Sequence, residues 1–209
     1  MKKRVLFVGE NPLGTSGCAN MLAAVLSDLD HDKYQAGCFV VNETNPSNVL
    51  FDPLPYTLVN GTTAQDHWGL NRLLSLLQET APDYLCMVGV DFWRYIPIWN
   101  AIRQLRDTKK FKWISIFPFD LWKVKEEWIG YLKDLDFPCV YSQYGYESLK
   151  PYLPRLRYYR PKLNGWELFV PYDEKRKLAA RKEAFPTVSD DSLIFGFVGN
   201  NQKIGRAHV

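Results

Sequence analysis

What the sequence lacks narrows it first. No block of like charge stands out: 26 Lys and Arg against 23 Asp and Glu leave a net charge of +3. No run of basic residues interleaved with aromatics marks one face either, so nucleic acid is not an expected partner. At the N-terminus, Lys2-Lys3-Arg4 leads into an apolar stretch, Val5 to Gly9, too short for a signal-peptide core and far too short for a membrane span. No transmembrane segment is expected, and the cytoplasm is the default compartment. Histidine is scarce, and His31 and His67 stand apart from any metal-ligand spacing. Solvent-exposed structural roles are expected for both, and no metal. There is no Gly-x-Ser-x-Gly elbow, and no Cys/His pair assembles from spacing, which leaves hydrolysis by the usual nucleophiles unsupported. The four cysteines, Cys18, Cys38, Cys86 and Cys139, are widely spaced, and three lie in apolar strand-like runs. That is the pattern of reduced core thiols rather than of a disulfide framework or a zinc site.

What is present begins at Lys2 to Gly17: a basic start, a short apolar run, a loop with Gly9, Gly14 and Gly17, then an amphipathic stretch over 19–29. Strand, glycine loop and helix together make an anion-binding layout, because the first N–H groups of a helix have no intrahelical partner and glycines let a ligand approach them. The spacing matches neither the dinucleotide G-x-G-x-x-G nor the P-loop. A structural turn with close helix-to-sheet packing is the competing reading. Seven Trp residues suit a carbohydrate or aromatic ligand, and core packing is the commoner use.

Along the chain, strands are expected over 34–41, 56–59, 84–90, 112–117, 138–142, 156–160 and 192–198. Helices are expected over 64–80, 94–106, 123–135, 144–149 and 173–185. This alternation predicts an α/β fold, a Rossmann-like, doubly wound, mainly parallel sheet covered on both faces. Ligands of such sheets bind outside the carboxyl ends of the strands, where strand order reverses. That rule selects residues 9–17, Asn42-Glu43, Asn60-Gly61, Gly89-Val90-Asp91, Pro118-Phe119-Asp120 and 142–145.

Among these, Asp120 can hold a sugar hydroxyl and Trp122 can stack on a sugar ring; equally, Asp120 can cap the next helix while Trp122 packs in its first turn. Asp91 is expected to be a cap rather than a base. Glu10 is better placed, beside the glycine loop, but has no partner acid visible in the sequence.

At Asn164-Gly165-Trp166-Glu167-Leu168-Phe169-Val170-Pro171 the chain resembles the interdomain segment of retaining GT-B fold glycosyltransferases of family 4 (glycosyl transferases group 1), which commonly reads Pro-Asn-Gly-Val-Asp, then Phe and Pro. Leu163 stands for the first Pro, Trp166 for Val and Glu167 for Asp. Residues 194–202, Ile-Phe-Gly-Phe-Val-Gly-Asn-Asn-Gln, are similar to the first strand of that family's second domain, with Asn200 where Arg usually follows Gly199. The opening strand with Gly14 and Gly17 resembles the family's glycine loop. Asp120 falls at an acceptor-side His-Asp pair, with Phe119 in the His position, and Ser142-Gln143-Tyr144-Gly145 resembles the start of the family's next helix.

The resemblance implies transfer of a sugar from a nucleotide-sugar donor to an unknown acceptor, with no further cofactor. It implies an N-terminal Rossmann-like acceptor-side domain over 1–162, an interdomain linker over 163–172 and the start of a donor-binding domain over 173–203. Asp120 would position the acceptor. Glu10, Gly14, Thr15, Gly17, Asn164, Gly165, Glu167, Gly199 and Asn200 would contact donor phosphate or acceptor. The tail 204–209 reads as one frame of a common sequencing adaptor, so a non-native end and a fragment inactive by itself are expected. The alternatives are a non-catalytic doubly wound binding module, and another GT-B enzyme such as an epimerase or an inverting transferase.

Overall fold

In the computed structural model, residues 2–42, 55–121, 123–160, 173–189 and 191–194 are described. The chain divides into two compact units, Met1–Asn164 and Gly165–Val209. The first unit is built on a sheet of seven parallel strands in the order 3-2-1-4-5-6-7. These are β1 (Lys3–Gly9), β2 (Tyr34–Val40), β3 (Tyr56–Asn60), β4 (Tyr84–Val88), β5 (Lys112–Phe117), β6 (Phe137–Val140) and β7 (Arg157–Tyr158). The chain leaves β1 in one direction and returns beside it as β4, so the order reverses between those two strands. This is the doubly wound, Rossmann-like α/β fold.

Alternation of side chains across the pleat explains why the central strands read as unbroken apolar runs: both faces of a parallel sheet are covered. Val5 and Phe7 of β1 pack with Met21, Leu22 and Leu26 of α1 (Gly17–Ser27), together with Cys38, Cys86 and Cys139. Leu6 and Val8 point the other way. There the core is closed by α2 (Leu70–Thr80), α3 (Trp99–Lys109), α4 (Glu126–Lys133) and α5 (Gln143–Leu149). Asp83 Oδ2 accepts from the Arg4 amide at 2.7 Å and Asp136 Oδ2 from the Trp113 amide at 2.9 Å, tying down strands at the amino edge.

Several boundaries differ from the sequence expectation for local reasons. The helix expected over 64–80 begins at Leu70, because a Thr63–Asp66 turn precedes it and Gly69, at φ 60°, is left-handed. The segment expected as one helix over 94–106 is a 3-10 helix (Phe92–Ile98) followed by α3, with Pro97 at the junction. β4 stops at Val88 because Gly89 takes φ 67°. β6 stops at Val140, which puts Tyr141 outside the strand. His31, expected on the surface, is half-buried with Nε2 2.9 Å from the Leu26 carbonyl oxygen.

The second unit contains α6 (Glu174–Ala184), capped by Asp173, whose side chain accepts from the Arg176 amide at 2.8 Å. None of its residues is buried, as its charged composition predicts. Of the strand expected over 192–198, only 192–194 are described, and they are not extended into a strand. The linker over 163–172 lies outside the described residues.

Candidate functional site

At the carboxyl edge of the sheet lie Glu10, Asp91 and Asp120, which the strand-end rule selected. Immediately after β1, Glu10 is fixed from two sides. Its Oε2 accepts a hydrogen bond from the Ser16 hydroxyl, and its Oε1 accepts from Asn42 Nδ2 at 3.2 Å, beyond the end of β2. Ser16 is also the N-cap of α1, accepting from the Ala19 amide at 3.0 Å. One hydroxyl therefore links the helix start to the carboxylate.

The three glycines of this loop have different reasons. A Cβ on Gly9 would lie 2.9 Å from Leu22 Cδ2 and 2.9 Å from the Val88 carbonyl oxygen, so strand and helix meet too closely for a side chain. Gly14 turns tightly, its amide donating to the Asn11 carbonyl at 2.8 Å. A Cβ on Gly17 would meet nothing within 4 Å. Packing therefore accounts for Gly9, and open space lies beside Gly17. Thr15 is exposed in the same turn.

From β4 and β5 come two more acids. Asp91 precedes the 3-10 helix but makes no capping bond; its carboxylate lies 3.6 Å from Arg94 Nε, and the Arg94 guanidinium lies 4.8 Å over the Trp68 ring. Asp120 is exposed after β5 and does not cap α4, which begins after Lys125. Asp91 lies within electrostatic reach of the other two acids. Burial pushes the Asp91 carboxyl up, the Asp120 and Glu10 charges push the same way, and Arg94 pulls against them. Cys18, in the first turn of α1, is raised chiefly by burial and then by Glu10 and Asp91. The Tyr141 phenol, after β6, is pushed up to about 12, chiefly by burial, with Cys18, Asp120 and Asp91 adding to it. Four loops distant in sequence thus share one electrostatic environment. The carboxylates among them are acceptors for hydrogen-bond donors.

Beside these acids opens a cavity of about 650 Å³, lined by Glu10, Gly17, Cys18, Met21, Tyr141 and Arg160. That volume lies in the range of small-molecule sites. Cys18, Met21, Tyr141 and Arg160 were not picked out by sequence. Tyr141 was hidden inside an expected strand, and Arg160 carries no local motif. Two loops selected by the strand-end rule serve structure instead. Gly61 is packed under Phe39, whose ring atoms a Cβ would overlap. Ser142 caps α5, accepting from the Gly145 amide at 3.0 Å while donating to the Phe119 carbonyl at 3.2 Å. Trp122, Asn164, Gly165, Glu167, Gly199 and Asn200 lie outside the described residues. Among the described residues, no group of three or more His, Cys, Asp or Glu is placed to hold a metal ion, and no helix is long and apolar enough to cross a membrane.

No family model matches this chain, and no curated protein matches it. Among solved structures, Arabidopsis thaliana UGT89C1 complexed with UDP is similar over 88% of this chain at 13% identity and a TM-score of 0.48. The chain spans about half of that protein, 55% of its length.

Proposed function

We propose that this chain carries the acceptor-side Rossmann-like domain of a GT-B type glycosyltransferase, which moves a sugar from a nucleotide-sugar to a hydroxyl-bearing acceptor. The observation that carries the reading is the convergence of Glu10, Asp91 and Asp120 at the carboxyl edge, beside an open cavity. Carboxylates are acceptors for hydroxyl protons, and grouped acids suit a sugar, polyol or phenol better than a phosphate. Gly14, Thr15 and Gly17 then frame the acceptor rather than the donor diphosphate. Asp120, exposed and not engaged as a cap, and Glu10, locked by Ser16 and Asn42, together orient the reacting hydroxyl.

In the reaction, the acceptor oxygen bonds to the anomeric carbon while the bond from that carbon to the diphosphate oxygen breaks. The hydroxyl proton leaves toward a carboxylate or the departing diphosphate. Donor contacts belong to the residues that resemble the family 4 linker and second domain: Asn164, Gly165, Glu167, Gly199 and Asn200. Trp122 is proposed to stack on a sugar ring, and retention of configuration is part of the same proposal. No cofactor beyond the nucleotide-sugar is invoked.

The test is to recover the coding sequence beyond Gln202, express the whole reading frame and assay transfer from a panel of nucleotide-sugars, with Asp120→Asn alongside. The expected result is turnover that falls about 100-fold in the variant, as for loss of a group acting on the acceptor proton, with nucleotide-sugar affinity unchanged. A frame that stops soon after Gln202 would sink the reading. Tight nucleotide-sugar binding without turnover would favour a binding module instead.

A further inference from the structure

The cavity beside the acids is lined by groups of opposite charge, a carboxylate and a guanidinium. Glu10 lines it from the end of β1, with Asp91 and Asp120 in electrostatic reach. Arg160 lines it from beyond β7, and three strands stand between β1 and β7 in the sheet. Both groups line the one cavity, and among the described residues no ion pair joins the carboxylate to the guanidinium. Between them the surface is mostly apolar: Met21, 6% exposed, and the half-buried Tyr141 and Cys18. Burial and nearby acids keep the Cys18 thiol and the Tyr141 phenol protonated, so this middle section is neutral at ordinary pH.

Arg160 is not consumed by the fold. Its guanidinium lies 5.2 Å over the Tyr158 ring, which steadies it, and among the described residues no carboxylate is paired with it. A planar guanidinium held against an aromatic ring can take a carboxylate or phosphate in two parallel hydrogen bonds. A sugar or polyol would satisfy Glu10 but leave Met21, Tyr141 and Arg160 unused. A ring with a hydroxyl at one end and an oxyanion at the other uses all four.

We propose that the acceptor taken by this cavity is an amphiphilic hydroxy acid: a hydroxyl toward Glu10, an apolar ring on Met21 and Tyr141, and a carboxylate or phosphate monoester on Arg160. This rests on the reading that the cleft takes a hydroxyl acceptor, and it narrows that acceptor to one class. Arg160 is a specificity residue for the anionic end.

Three probes sharing one ring and one hydroxyl test it: 4-hydroxyphenylacetate, 4-hydroxyphenyl phosphate and uncharged 4-methylphenol, titrated by calorimetry into the 209-residue chain. Both anions are expected to bind about tenfold more tightly than 4-methylphenol. Arg160→Gln removes that advantage and leaves 4-methylphenol unchanged, whereas Glu10→Gln weakens all three. The carboxylate and phosphate arms show which oxyanion is preferred. No binding of any probe, no preference for anions, or a preference that survives Arg160→Gln each overturns the proposal. Arg160-dependent binding with no sugar transfer by the whole reading frame upholds the site and removes the transferase reading. Transfer to charged and uncharged probes with equal kcat/KM upholds the transferase and removes the anionic specificity.

Discussion

A methyl group on Gly9 would press on the Val88 carbonyl oxygen and on Leu22 at 2.9 Å each, whereas one on Gly17 would enter open space. Two glycines of one loop therefore have opposite expected responses to alanine. Gly9→Ala forces apart β1, β4 and α1, and its cost is about 1–3 kcal/mol, as for overpacking elsewhere. Gly17→Ala relieves the unfolded chain of freedom at a helical position and is expected to gain about 0.4–1 kcal/mol. Urea unfolding of the two variants checks this, and equal effects would refute it. The same pair separates two meanings of a glycine-rich loop. Close packing explains Gly9 without a ligand, while Gly17 has no steric reason to lack a side chain, and its open space belongs to the cavity.

At the scale of an element, α5 is short, yet it holds the site together through its cap. Ser142 Oγ bonds both the Gly145 amide and the Phe119 carbonyl, and the Tyr144 hydroxyl donates to the Leu121 carbonyl at 2.9 Å. The loop that carries Asp120 is thus fastened to the start of α5. Ser142→Ala is expected to cost about 1–2 kcal/mol through loss of the cap. Hydrogen exchange should quicken at the amides of Phe119 to Leu121 and at Gly145, while β1 stays protected. Uniform quickening across the sheet would show that Ser142 supports the fold generally rather than this loop. The helix boundaries carry a related lesson. Periodicity located α2 and α3, but Gly69 and Pro97 set where each helix begins, because backbone conformation at one residue overrides the preference of its neighbours.

At the scale of the whole molecule, the sheet places Cys38, Cys86 and Cys139 in one core on β2, β4 and β6, while Cys18 alone of the four is half-buried at the cavity. Burial pushes the Cys38 thiol up to about 12 and Cys139 to about 11, and Cys86 upward as well. A thiolate is the reactive form, so these three are expected to resist alkylation at pH 8 until the domain opens. Iodoacetamide should label Cys18 slowly in the native chain and all four quickly in denaturant. Native labelling of the three strand cysteines at the rate of Cys18 would contradict the packing. Their labelling rate then serves as a measure of global opening against which Gly9→Ala and Ser142→Ala can be compared.

The amino-acid sequence by itself determined the strands and their alternation with helices, since unbroken runs such as Val5-Leu6-Phe7-Val8 suit strands covered on both faces, and amphipathic stretches suit helices laid on them. From that alternation the parallel sheet followed, and with it the rule that strand ends carry the site. Glu10, Asp91 and Asp120 were each legible as residues at strand ends. That they form one acidic group, that Tyr141 and Arg160 join them around a cavity, and that Gly61 and Ser142 serve packing and capping were decided only by the tertiary structure. The reason is physical: proximity at a sheet edge depends on which strands lie side by side, and the order 3-2-1-4-5-6-7 brings together loops that no spacing along the chain connects.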